Sequence, residues 1–129
     1  MRDEQVRRYA RHILLPDVGG LGQTALLVAT AQVDVSQRAG MIAASYLAAG
    51  GTGTVIADGA GEAELSTLRM FNPDTQIARE APPPPTRVVP VAIPAAPPWW
   101  IATDGDATAL AFWRGGIAAV RWMAPIANR

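Results

Sequence analysis

The chain has 129 residues, of which 50% are hydrophobic and 17% charged, and its formal net charge is zero. This length suits one modest domain, and this composition is typical of a folded core rather than of a disordered chain. The charge balance does not indicate a nucleic-acid partner, and the absence of cysteine excludes disulfides, thiolate zinc sites and a cysteine nucleophile.

An amphipathic helix is predicted at the start of the chain. Apolar side chains recur at helical spacing over residues 4–14, after Asp3 as a candidate N-cap, and Pro16 ends the helix. A short helix is predicted over residues 23–29. The segment between the two helices is predicted to be a glycine turn (Gly19, Gly20 and Gly22).

The next elements form a strand–helix–strand unit. Alternating apolar and polar residues predict a half-buried strand over 31–35, and the apolar run 41–49 predicts a helix that glycines 50–51 stop. A second strand is predicted over 54–57 and ends at Asp58. Because a strand–helix–strand unit of these lengths needs a crossover, we expect parallel pairing and a right-handed connection.

Proline dominates the middle of the second half, after a brief helical turn predicted over 64–70. Residues 81–85 and 90–98 hold eight of the 11 prolines. Since proline lacks a ladder N–H, residues 88–93 can form only an edge strand or an extended loop. The first proline cluster could be a polyproline ligand or a stiff connector, and its composition favours the connector.

The last part of the chain is predicted to alternate again between strand and helix. Residues 99–103 predict a third strand that presents Asp104 at its carboxyl end. A helix is predicted over 107–113, glycines 115–116 break it, and residues 117–123 predict a last strand.

Several segments resemble one known family. Residues 7–23, which run Arg-Arg-Tyr-Ala-Arg-His and then Pro and a Gly-rich stretch, resemble the N-terminal signature of the MoeB/ThiF/HesA adenylating family, relatives of the ubiquitin-activating enzymes. Residues 46–53, 71–77 and 102–108 are similar to that family's Tyr-Leu-Ala-Ala-Ala-Gly-Val-Gly, Leu-Asn-Pro-Asp-Val and Ala-Thr-Asp-Asn-x-Ala-Thr motifs.

The resemblance implies an α/β fold, namely a Rossmann-like three-layer domain with a short, mostly parallel sheet and an N-terminal helix. Residues 1–129 would form a single, truncated ThiF-like domain. Within it, residues 1–22 would be the N-terminal helix and arm, and residues 81–98 a Pro-rich connector.

The resemblance also places a nucleotide site. The family's Gly-x-Gly-Gly-Leu-Gly turn falls at 35–40, where this chain keeps only Gly40 and has the β-branched Val35 at a glycine position. The phosphate-binding turn is therefore expected to be lost, unless Arg38 pairs the phosphates directly. Asp58 matches the acidic residue that accepts hydrogen bonds from the ribose hydroxyls, and it could equally be a strand-end turn residue.

Two further residues complete the implied site. Asp104 matches the carboxylate that holds Mg²⁺, although it could instead cap a helix. Arg11, the candidate catalytic residue, matches an arginine that reaches across a dimer to the partner's triphosphate. His12 is read as a packed or surface residue. The family's catalytic lysine has no counterpart, because the chain contains no lysine.

Three functions stay open after this reading. The preferred one is a catalytically impaired or inactive relative that acts as a dimerisation or scaffolding module, as a homodimer or with a fuller family member. The second is an adenylyltransferase that uses ATP and Mg²⁺ to activate the C-terminal carboxylate of a sulfur-carrier or ubiquitin-like protein. The third is a Rossmann-like interaction domain unrelated to ATP. The polar N-terminus and the lack of a ~20-residue apolar run predict a cytoplasmic protein without a membrane partner.

Overall fold

A computed structural model describes residues 1–102 and 106–128 of the chain. The described elements are α1 (Asp3–Arg8), α2 (Ala10–Ile13), α3 (Gly19–Leu27), β1 (Thr30–Asp34), α4 (Arg38–Ala49), β2 (Thr54–Asp58), α5 (Glu62–Arg69), β3 (Gln76–Ala78), β4 (Val88–Pro90), α6 (Pro98–Ala102) and α7 (Ala107–Ala127).

The four described strands form one sheet in the order β3–β2–β1–β4, and every neighbouring pair is parallel. Thr30 of β1 is in register with Thr54 of β2 on one side and with Val88 of β4 on the other. The fold is a small α/β, Rossmann-like domain, which confirms the predicted fold class, and the predicted parallel pairing of the first two strands is also confirmed. The two strands predicted over 31–35 and 54–57, and the helix predicted between them over 41–49, are present as β1, β2 and α4, and their ends are shifted by at most three residues.

The core lies on one face of the sheet, where alternate strand residues meet the helices. The small side chains of α4 (Ala43, Ala44 and Ala48) bring this helix close to β1 and β2, and Leu47 fills the space between them. Trp122 of α7 donates its indole N–H to the carbonyl of Val89 at 3.0 Å, which ties the last helix to the edge strand. The strand residues buried on this face are Ala31, Val33, Val55, Ala57 and Ile77.

The Pro-rich connector borders the opposite face. Thr30, Thr54 and Gln76 line an open cavity of about 500 Å³ there, together with Pro82 and Pro83. The connector contains β4, which is an edge strand, one of the two forms predicted for residues 88–93. Pro90 is tolerated in this edge strand because the ladder does not need its N–H: in this register the next amide, that of Val91, donates to Gln32 O at 2.7 Å.

Two strand predictions in the last third are wrong. Residues 98–102 form the helix α6 instead of a strand over 99–103, and residues 117–123 lie inside the 21-residue helix α7. The predicted break at glycines 115–116 is absent because the helix uses Gly115 for close packing. A Cβ at Gly115 would lie 2.6 Å from Ala39 O. Short apolar runs fit a strand and a buried helix equally well, and helix contact decided between them here.

The N-terminal prediction needs three corrections. The predicted glycine turn is helical, because α3 begins at Gly19, and Gly22 lets α3 pack against the end of α7, where a Cβ would lie 2.6 Å from Ala127 O. The helix predicted over 4–14 is divided into α1 and α2 at Tyr9, whose side chain is buried. Asp3 is the first helical residue rather than the N-cap, which is Arg2. The strand β3 was not predicted.

Candidate functional site

The strand order places the natural ligand crevice of this fold at the carboxyl ends of the strands. The chain runs from β1 to β2 and β3 on one side, and β4 then pairs with the other side of β1. In open α/β sheets ligands bind outside the carboxyl ends of the strands, at such a reversal of strand order. We call this end of the sheet the carboxyl edge, and it contains Asp34, Asp58 and the β1–α4 turn over residues 35–37.

The β1–α4 turn uses its own polar groups. Asp34 accepts hydrogen bonds at Oδ1 from the amide of Ser36, at 2.9 Å, and from its hydroxyl, at 2.6 Å. These two hydrogen bonds hold the pKa of Asp34 below its ordinary value. Val35 is buried in the core, and its amide donates to Asp58 O at 3.0 Å. The amides of Val35 and Ser36 are therefore both used within the protein, which closes this part of the turn.

Gly40 is required by the approach of α4 to this turn. A Cβ at Gly40 would lie 1.7 Å from the carbonyl oxygen of Asp34, which is a severe overlap with main chain. In a dinucleotide-binding turn, the last glycine of the motif serves helix–strand packing, and the earlier ones let the main chain approach phosphate. Gly40 is thus needed for the packing of α4 against the end of β1.

Asp58 lies where the sequence predicted, at the end of β2. It is half-buried, and its Oδ2 accepts a hydrogen bond from Nε2 of Gln32 at 2.8 Å. Asp34 and Asp58 are register partners on adjacent strands, so their side chains leave the sheet on the same side. As predicted for the polar face of β1, Asp34 is exposed to solvent.

Arg38 connects the first turns of α4 and α7. Its side chain is exposed and donates from Nη1 to the hydroxyl of Thr108 at 2.8 Å. Asp106 caps α7 by accepting from the amides of Thr108, at 2.6 Å, and Ala109, at 3.1 Å, and these bonds hold the pKa of Asp106 below its ordinary value. Arg38 thus makes one solvent-exposed hydrogen bond between the two helices.

The sheet brings together three of the five predicted site residues. Arg38, Gly40 and Asp58 meet at the carboxyl edge, whereas Asp104 lies outside the described residues. Arg11 is exposed on α2, which packs on α3 near the beginning of β1, at the opposite end of the sheet. A five-residue strand separates its two ends by about 13 Å. Across the described ranges, no group of three or more His, Asp or Glu is placed to hold a metal ion.

Sequence reasoning missed a buried polar cluster at the opposite end, which we call the Tyr9–Asp74 network. The hydroxyl of Tyr9 donates to Asp74 Oδ2 at 3.0 Å and accepts from Asn72 Nδ2 at 2.8 Å. Arg2 and Arg8 both form salt bridges with Asp74, whose side chain is only 4% exposed. Burial raises the pKa of Asp74, but hydrogen bonds from Tyr9 and Arg8 outweigh it, so that the pKa lies below its ordinary value.

The network joins the N-terminal arm to the amino edge of the sheet, the end at which the strands begin. Asn72 also donates to Ala48 O at 3.0 Å, and both residues precede strands. Gly51, with φ of +86°, gives room for the arm, since a Cβ there would lie 2.7 Å from Tyr9 and 2.6 Å from Gln23. Nδ1 of His12 lies 2.9 Å from Gln23 Oε1, so this half-buried ring takes the packed one of its two predicted placements. The signal in the sequence that could have indicated this network is the complementary charge of two distant segments, the arginines of the N-terminal arm and Asp74.

Comparisons with known proteins do not assign the chain to a family. No protein-family model matches it, and no curated protein matches it. Within residues 1–102 and 106–128, no helix has both the length and the apolar character needed to cross a membrane.

Proposed function

We propose that this protein is a Rossmann-like association module, a catalytically impaired relative of the MoeB/ThiF/HesA enzymes, and that it does not use its carboxyl edge to bind a nucleotide. The observation that carries the proposal is the closure of the β1–α4 turn. The Ser36 amide is bonded to Asp34, and Val35 is buried in the core. A phosphate-binding turn instead needs main-chain N–H groups that point outward at the ligand.

The charges at the carboxyl edge support the same conclusion. Asp34 and Asp58 end adjacent strands, so a triphosphate there would meet two carboxylates at close range. Arg38, the one cation that the sequence offered for phosphate pairing, is bonded to Thr108. We therefore propose that the described residues of the carboxyl edge are unsuited to binding ATP with Mg²⁺.

Exposed apolar side chains support the association half of the proposal. A large apolar patch on a small domain is a common mark of a protein-binding surface. The partner would be a second copy or a fuller family member, in the cytoplasm. The exposed large apolar side chains on or next to α4 and α7 are Tyr46, Met70, Phe71, Phe112 and Val120.

Calorimetric titration with ATP and Mg²⁺ tests the proposal. We expect no saturable heat up to about 1 mM nucleotide, which corresponds to a binding free energy weaker than about 4 kcal/mol. The matched variant is Asp58→Ala, which removes the carboxylate that the family would direct at the ribose. Micromolar binding by the wild type that Asp58→Ala abolishes would contradict the proposal.

One observation favours the alternative, an adenylyltransferase that acts on a sulfur-carrier or ubiquitin-like protein. No side chain caps the N-terminus of α4, so the helix end next to Arg38 keeps donors that an anion could use. Arg11 would then have to come from a second chain, because in one chain it lies at the amino edge. ATP–pyrophosphate exchange in the presence of candidate carrier proteins tests this option, and exchange at background level removes it.

A further inference from the structure

An apolar groove runs between α4 and α7 on the outer surface of the helices. It consists of two adjoining depressions of about 340 and about 350 Å³, and Tyr46 and Phe112 line both of them. These two side chains, 48% and 53% exposed, form a ridge between the depressions. We call this surface the Tyr46–Phe112 groove. The first depression is also lined by Ile42, Ala49 and Phe71, and the second by Gly116, Val120 and Met123.

Two neighbouring glycines create the groove. Gly115 faces α4 and lets the helices approach closely, since a Cβ there would lie 2.8 Å from Ile42 Cβ. Gly116 faces outward, where the nearest atom to an added Cβ is Tyr46 Cε2, at 3.9 Å. The absence of a side chain at Gly116 therefore leaves the space beside the aromatic ridge open.

The groove contains no charged side chain among its lining residues. Neither α4 nor α7 has an aspartate or glutamate. Arg114 donates from Nε to Pro94 O at 2.7 Å, and Arg121 lines a different cavity beside Pro94 and Trp122. An uncharged, apolar surface of this kind selects a partner surface that is itself uncharged and apolar.

The size of the apolar area fits a dimer contact. Three half-exposed aromatic side chains contribute on the order of 300 Å², since each aromatic side chain can bury about 150–250 Å². Val120 and the adjoining Met70, 59% and 85% exposed, extend the area. The patch thus reaches the upper end of the apolar area that monomers expose. Since protein interfaces are only partly apolar, a patch of this size can supply the apolar part of a contact of ~800 Å² per partner.

We propose that two copies of this chain pair through the Tyr46–Phe112 groove about a twofold axis. A twofold contact joins the same patch on both copies, so one copy must carry both a projection and a recess. The ridge and the depressions beside it meet this requirement on a single face. This inference rests on the proposed function, and it identifies the interface and the partner.

Sedimentation equilibrium of the purified full chain, at about 1–100 μM, tests the inference. A charge in the centre of a desolvated apolar contact costs at least as much as truncation of a central side chain, about 2 kcal/mol. Phe112→Glu and Val120→Glu should therefore each raise the dimer dissociation constant by about 30-fold or more. Leu14→Glu, at an 82% exposed position on the N-terminal arm, is the matched control and should leave the constant unchanged.

The outcomes separate the interface from the function. Weakening by both groove variants, with melting temperatures and the Leu14→Glu dimer unchanged, supports the inference. A dimer that survives both groove variants overturns the inference but leaves the association function intact. A wild type that stays monomeric also overturns the inference, whereas the nucleotide half of the proposed function is judged separately by the ATP titration.

Discussion

The polar residues at the two ends of the sheet are used differently. At the amino edge, Tyr9, Asn72 and Asp74 bury their polar groups against one another, and two arginines neutralise the carboxylate. At the carboxyl edge, Asp34 is exposed and Asp58 is half-buried, and each accepts hydrogen bonds from a near neighbour. A buried, fully satisfied polar network fixes a unique packing, whereas exposed pairs contribute little to stability.

This difference bears on the proposed relation to the MoeB/ThiF/HesA family. Arg8 and Tyr9, from one of the resembling segments, contact Asn72 and Asp74, from another, in the Tyr9–Asp74 network, so packing accounts for these four residues. The turn at 35–40, where a nucleotide would have to bind, departs from the pattern that the resemblance implies. The likeness at the amino edge is therefore no argument for adenylation.

The largest effect is expected from Gly40→Ala, which tests whether the carboxyl edge is built for packing. The added Cβ would overlap the Asp34 carbonyl, and overpacking against main chain should lower the free energy of unfolding by about 3 kcal/mol or more. Gly20→Ala is the control, because its Cβ would meet only Met1 Cε at 4.0 Å and alanine favours a helix. Urea unfolding measures both, and similar stabilities for the two variants would contradict the packing role.

Asp74→Asn and Asp58→Asn compare the two edges directly. Asn at position 74 leaves Arg8 without its carboxylate in a nearly buried cluster, and we expect a loss of about 2 kcal/mol. Asp58→Asn should change the free energy of unfolding by less than about 0.5 kcal/mol, because an amide oxygen can still accept from Gln32. Equal losses in urea unfolding would remove the distinction between the edges.

Lowering the pH should reduce the difference in the free energy of unfolding between wild type and Asp74→Asn. The pKa of Asp74 in the folded protein lies below its ordinary value. The ionised Asp74 therefore contributes its full stabilisation above about pH 4, and this stabilisation is lost as the pH falls through the folded pKa. The variant lacks this titration, so the two stabilities should converge below about pH 4. Unfolding titrations at several pH values measure the difference, and a constant gap would show that the charge of Asp74 is unimportant.

Tyr9→Phe should have the smallest effect at the amino edge. It removes only the hydroxyl that links Asn72 to Asp74, while the ring remains buried and Asn72 keeps its bond to Ala48 O. We expect a loss of about 1 kcal/mol in thermal or urea unfolding. A loss as large as that of Asp74→Asn would mean that the hydroxyl, and not the ion pairs, dominates the network.

The sequence predicted the first half of the fold better than the second. Residues 31–35 and 41–49 were predicted correctly because alternation is specific to a half-buried strand, and a nine-residue apolar run stopped by glycines fits a helix. The wrong strand predictions at Trp99–Trp100 and 117–123 are apolar runs without alternation, and over 117–123 the contacts of α7 with α4 and with β4 favour the helix. Two glycines were wrongly predicted to lie in turns or helix breaks, since Gly22 and Gly115 lie within helices and allow close contact between helices.

The site was predicted in part for a similar reason. Asp58 and Gly40 lie at the predicted edge because strand ends and helix starts can be located from local pattern. The hydrogen bonds from Ser36 to Asp34 and from Arg38 to Thr108 depend on side-chain directions and on a helix 70 residues away, which local pattern does not contain. The Tyr9–Asp74 network joins residues 65 apart, so the complementary charges of its two segments were the signal for it, and no local pattern pairs them.

The most direct test of the closed β1–α4 turn is an NMR titration of the ¹⁵N-labelled protein with ATP and Mg²⁺. The amides of Ser36, Gly40 and Gly59 report on the turn and on the neighbouring strand end, since Gly59 lies against Ser36 and Asp34. Our account predicts that their chemical shifts stay constant up to about 1 mM nucleotide. Saturable shifts centred on these three amides would contradict it.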